Sequence, residues 1–156
     1  MELGRRLLAA LGVAVCLLLA WSAGPRAQSL QDEMNAFVRL YQQGRYAEAE
    51  APARRALDLA ERQFGSNHQN TALMANNLAV LYTTQGRYAE SEPLHKRALA
   101  ILEKSKGPEH ADVGQTLNNL AALYRTQGRL AEAEPLYKRA LAIREKALGP
   151  GTRTSR

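Results

Sequence analysis

Apolar residues in this chain recur every third or fourth position, and they do not alternate with the period of two that a strand would show. Leu117, Leu120, Ala121 and Tyr124 follow helical spacing and stop at the break Gln127-Gly128-Arg129. A second apolar series then runs through Ala133, Leu136, Tyr137, Ala140, Leu141 and Ile143. Ala121, Ala133 and Ala140 are small where two helices must approach, and Tyr124 and Tyr137 fill the space beside them. Glu132 and Glu134 come early in the second series, and Lys138, Arg139, Arg144 and Lys146 come late. That is the order the helix dipole favours. Pro135 is expected near the first turn, where a missing N–H costs least. The spacing predicts a helical hairpin and an all-α chain.

The hairpin is written more than once. Residues 75–101 and 117–143 agree at 21 of 27 positions, at an offset of 42 residues. The same offset links Gly44, Gly86 and Gly128, and again Gly65, Gly107 and Gly149. A fixed period of this length marks stacked units that bury their apolar faces against their neighbours. The expected organisation is an α-solenoid of about three antiparallel helix pairs over residues 28–149. Its units fall at about 30–64, 65–106 and 107–148, with an irregular tail at 150–156.

The run L-N-N-L-A-x-L-Y-x-x-Q-G-R-x-x-E-A-E-P-L-Y-x-R-A-L, entered through Gly-Pro-Glu-His at 107–110, resembles the tetratricopeptide repeat. More narrowly it resembles the 42-residue variety of the kinesin light chain. The resemblance covers about residues 30–149 and is strongest from Gly65 onward. It implies a right-handed solenoid and a non-catalytic module that binds a protein or peptide partner. The first unit departs from the pattern. Phe37 stands where Ala79 and Ala121 stand, Arg39 replaces Leu81 and Leu123, and Pro52 comes one residue late. Such changes suit a terminal unit that packs on one side only.

Residues 1–27 form a separate segment. Arg5 and Arg6 precede an uncharged run at 7–21, followed by Ser22-Ala23-Gly24-Pro25-Arg26-Ala27. This order predicts an export signal cut between residues 22 and 28, and hence a periplasmic or secreted product. The run is shorter than the roughly 20 residues of a membrane span. The alternative is a retained N-terminal anchor in the inner membrane, which would make the chain a membrane-anchored assembly factor.

Composition narrows the chemistry. The one cysteine, Cys16, lies in that first segment, so a cut product would have no thiol chemistry. The formal charge is +6, but removing residues 1–27 takes away three arginines and one glutamate, leaving 18 basic against 14 acidic residues. These alternate along helices without interleaved stacking aromatics, which argues against nucleic-acid binding. His68 and His110 lie one period apart and are expected to cap or turn the chain at each unit's entry, while His95 replaces Tyr137 as a packing or surface variant. Three histidines so placed do not converge as metal ligands must. Glu48/Glu50, Glu90/Glu92 and Glu132/Glu134 are two apart on a helix and do not face each other, so helix-start charge explains them better than acid–base catalysis. No phosphate loop, nucleophile elbow or H-E-x-x-H occurs. An enzyme, a metal site and a cofactor are not expected.

The resemblance implies that each unit's first helix lines a concave groove. On the helical wheel Leu73, Asn76, Val80, Thr83 and Thr84 share one stripe, and Gln115, Asn118, Ala122, Arg125 and Thr126 share its equivalent. Asn76 and Asn118 are expected to face outward and grip the backbone of an extended peptide, as the family's asparagine ladder does. Asn77 and Asn119 could equally bridge helices. The threonines read as a solvated face, and Arg125 would favour an acidic group on the ligand.

At the far end Gly149-Pro150-Gly151 opens like Gly107-Pro108-Glu109, but Thr152-Arg153-Thr154-Ser155-Arg156 follows. Deleting one base from GC-rich codons for His-Pro-Asp-Val-Ala yields those five residues, so the chain also reads as a truncated remnant of a longer array. Outer faces of the third unit, with Leu123, Leu136, Leu141 and Ile143 as candidates, would then self-associate or seek a partner.

Overall fold

The computed structural model describes residues 29–148, all six of its elements helical. They are α1 (Leu30–Gln42), α2 (Tyr46–Phe64), α3 (Gln69–Thr84), α4 (Tyr88–Lys106), α5 (Ala111–Thr126) and α6 (Leu130–Leu148). Each consecutive pair forms a hairpin, and each second helix packs on the first helix of the next unit. The expected export segment at 1–27 and tail at 150–156 lie outside the described residues.

Local chemistry fixes the helix ends. Ser29 opens α1 with a capping box: its hydroxyl accepts the Asp32 N–H at 3.1 Å, and the Asp32 carboxylate accepts the Ser29 N–H at 3.2 Å. His68 and His110 open α3 and α5, each Nδ1 accepting the N–H two residues on at 3.1 Å. Their expected capping role is met. Within the second unit Gly86 takes φ 75°, so that the Arg87 N–H reaches the Tyr82 carbonyl at 2.8 Å and closes α3.

The prolines differ from expectation. α4 and α6 begin at Tyr88 and Leu130, so Pro93 and Pro135 are each the sixth helical residue, and Pro52 is the seventh of α2. They lie past the four N–H groups that a helix leaves unbonded, and each forfeits one internal hydrogen bond. The Gly-Arg turn starts the helix earlier than the proline alone suggests.

The core runs through the units. Ala72, Ala75, Ala98, Leu102, Val113 and Leu117 are fully buried in one cluster shared by α3, α4 and α5, with Ala140 and Ile143 of α6. Phe37, Ala49, Ala53, Leu78, Leu81 and Tyr82 form a second cluster, and Leu120, Ala121, Leu123, Tyr124 and Ala133 a third. Leu57 and Leu94 touch both the first and second clusters, and Leu99 and Leu136 both the first and third. Fully burying a leucine contributes roughly 1.5–3 kcal/mol, and these four, partly buried, contribute less each.

Candidate functional site

The backbones of α3 and α5 approach each other, while α4 and α6 meet through the Arg139–Glu103 ion pair at 2.5 Å, so the second and third units lean together on the side of their first helices. At one register this inner face carries Val38, Val80 and Ala122, each at least partly open to solvent, Val38 at 41%. Two turns earlier stand Gln31, Leu73 and Gln115, and three residues earlier Asn35, Asn77 and Asn119. All lie on the exposed side of the helix whose other side carries the buried Phe37, Ala79 and Ala121.

The expected site residues divide into three groups. Val80 and Ala122 lie on this face and are partly exposed, and Leu73, also partly exposed, packs its inner side against the central cluster. Asn76 and Thr83 point elsewhere. Asn76 is only 6% exposed, and its Oδ1 accepts from His95 Nδ1 at 2.9 Å and from Asn119 Nδ2 at 3.4 Å. The outward placement expected for it is therefore corrected: its direction is toward the next unit, which covers it. The Thr83 hydroxyl is held between Ser91 Oγ at 2.7 Å and the Ala79 carbonyl at 3.0 Å, so its proton is committed within the unit. Gln115, Asn118 and Arg125 are exposed. Gln115 and Asn118, however, line a cleft of about 560 Å³ at the end of the array together with Tyr137, Leu141 and Arg144.

Two residues of the inner face stood outside the expected set of groove residues. Val38 matches Val80 and Ala122 at the 42-residue offset, which alone would have placed it. Asn77 is part-exposed and has no hydrogen-bond partner among the described residues. Of the two expected roles, bridging between helices falls to Asn76 together with Asn119.

His95 occupies the interior behind this face and is fully buried. Because Asn76 offers an oxygen, Nδ1 carries the proton and donates. Nε2 is then a bare acceptor with no partner among the described residues. Burial pushes the imidazole down to about 4, so it is neutral at physiological pH.

Polar bridges at the hairpin turns repeat with the units. Arg87 donates to Glu50 of the preceding unit at 2.6 Å and to Glu90 on its own helix, and its guanidinium lies 4.1 Å over the Tyr82 ring. Arg129 does the same with Glu92 at 2.7 Å, Glu132, and the Tyr124 ring at 4.0 Å. Arg129 first, then Lys96 and Tyr124, hold the Glu92 carboxyl down at about 2 against the opposing effect of burial. These glutamates pair between units as well as starting helices, which the spacing alone did not disclose. They accept from fixed cations, and no group of acidic or histidine side chains among the described residues converges as a metal site would.

A profile of the tetratricopeptide repeat matches residues 35–104 and 70–146. The chain belongs to the tetratricopeptide-repeat family. This repeat array is similar to BtubC (BKLC) of P. vanneervenii at 29% identity, covering 81% of this chain and 51% of that one with a TM-score of 0.70. It is similar to the kinesin-light-chain TPR-like repeats of Podosopora anserina at 25% identity, covering 77% of this chain and 57% of that one, TM-score 0.70. The TPR domain of Arabidopsis FLU shares the fold at 21% identity, covering 78% of this chain and 99% of that domain, TM-score 0.68. The chain thus spans about half the length of the first two solved relatives. No protein of curated function matches it. Tetratricopeptide-repeat proteins generally bind protein partners.

Proposed function

We propose that this repeat array is a non-catalytic interaction module that holds an extended peptide segment of a protein partner along the inner face of α1, α3 and α5. The observation that carries the reading is the register of that face. Val38, Val80 and Ala122 form an apolar stripe one side chain wide, flanked at each helix by Asn35, Asn77 or Asn119. A carboxamide offers both donors and an acceptor, so it can bond peptide N–H and C=O without reading sequence. The unspent Asn77 is the residue best placed to do so.

The basic, apolar and small-residue order of residues 1–27 supports export of the module, so the partner would be met outside the cytoplasm. The mass of the natural product tests this: an intact Met1 on a cytoplasmic protein contradicts it.

Selection of a displayed library of random extended peptides against the chain tests the groove. Selected peptides should lose about three- to tenfold in affinity to Asn77→Ala, the worth of one hydrogen bond at roughly 0.5–1.5 kcal/mol. They should lose more to Val38→Lys, with circular dichroism unchanged in both variants. Binding indifferent to both substitutions would place the partner on another surface.

A further inference from the structure

Four registers that are covered where one unit meets the next stand open on the third unit. Leu57 and Leu99 pack against the clusters holding Leu78 with Leu81 and Leu120 with Leu123, respectively. Their counterpart Leu141 is 51% exposed. Asn76 is covered and bonded by Asn119 of the next unit, whereas Asn118 is exposed. Glu50 and Glu92 receive Arg87 and Arg129, and Glu61 and Glu103 receive Arg97 at 2.7 Å and Arg139 at 2.5 Å. Their counterparts Glu134 and Glu145 are exposed, and among the described residues Glu134 is held only by Lys138 of its own helix.

Asn118 and Leu141 line the 560 Å³ cleft between α5 and α6, and Glu134 and Glu145 stand on α6, one of its two walls. What fills an equivalent face is therefore shown twice within the molecule. It is a helical hairpin whose first helix brings two leucines and an asparagine, and whose turn and second helix each bring an arginine.

We propose that the end face of α5 and α6 is a second docking surface, distinct from the inner groove, and that its occupant is a further hairpin unit of this internal type. Leucines of that unit at the registers of Leu120 and Leu123 would cover Leu141. Arginines at the registers of Arg129 and Arg139 would reach Glu134 and Glu145, and an asparagine at the register of Asn119 would bond Asn118. The leading unit of a second copy does not fit. It presents Ala36 and Arg39 at the two leucine registers, so stacking would bury the Arg39 charge against Leu141.

A labelled polypeptide of residues 107–148 carrying Leu141→Glu, which prevents it from stacking on itself, serves as the probe once circular dichroism has shown it to be helical. Fluorescence anisotropy with the full chain should show saturable binding with one probe per chain, and the chain should melt at higher temperature when the probe is present. Leu141→Glu in the full chain should weaken binding by about tenfold or more, as loss of a central apolar anchor does. Glu134→Arg in the chain and Arg129→Glu in the probe should each weaken binding, and together restore part of it, which a non-specific apolar contact would not do. Absence of binding, or binding indifferent to Leu141 and to the charge exchange, overturns the proposal. So does a chain that dimerises in sedimentation through Leu141 and excludes the probe, because the occupant is then a second copy.

Discussion

His95 Nδ1 lies 2.9 Å from Asn76 Oδ1, joining α4 to α3 inside the second unit, and Asn119 of α5 donates to the same oxygen at 3.4 Å. One carbonyl oxygen thus serves three helices. Asn76→Ala removes it and leaves a buried imidazole N–H without an acceptor, at a cost of about 1–3 kcal/mol. The expected result is a lower urea midpoint with unchanged slope. An unaffected midpoint would mean that a water or a shifted side chain satisfies His95.

The same histidine makes stability depend on pH. Its folded pKa of about 4 lies below the ordinary imidazole value of 6.5. The unfolded chain therefore binds a proton that the folded chain refuses, and stability falls as pH drops below about 6.5. The loss by pH 5 should be about 2 kcal/mol at 1.36 kcal/mol per unit. Glu92, held down at about 2, contributes stability that is lost only below the ordinary carboxylate range, so it does not confuse this window. His95→Asn keeps a donor toward Asn76 and cannot titrate. Its urea midpoint should change less between pH 5 and 7 than that of the parent, and a slope equal to that of the parent would move the effect to another group.

Gly86 tests the turn. Its φ of 75° is left-handed, and an added Cβ would meet nothing within 4 Å. Gly86→Ala should therefore cost roughly 1–2 kcal/mol from the backbone alone, and Gly86→Asn less. Equal losses for both substitutions would point to a steric cause.

Much of the architecture was legible because the 42-residue offset repeats both the apolar spacing and the punctuation. The hairpins, the histidine caps at His68 and His110, and the buried alanines all follow from one unit read twice. The inner face was only half legible, for a geometrical reason. Asn76 and Asn77 sit about 100° apart on one helix, and a helical wheel has no direction labelled "toward the next unit". Only the neighbour α5 shows that position 76 is covered and position 77 is not. Thr83 was hidden by its bonds to Ser91 and to the preceding turn. The arginine bridges were hidden by sequence distance, since Arg129 and Glu92 are 37 residues apart. Pro135 misled because the turn ahead of it, and not the proline, sets where α6 begins.

Leu57, Leu94, Leu99 and Leu136 each belong to two clusters, so no boundary in the core separates one unit from the next. Melting of such a chain is a zipper problem. The central hairpin, clasped on both sides, should exchange its amide hydrogens last, and opening should advance inward from either end. A strand of ligand laid across all three first helices would then act as a splint, lending the outer hairpins some of the persistence of the middle one.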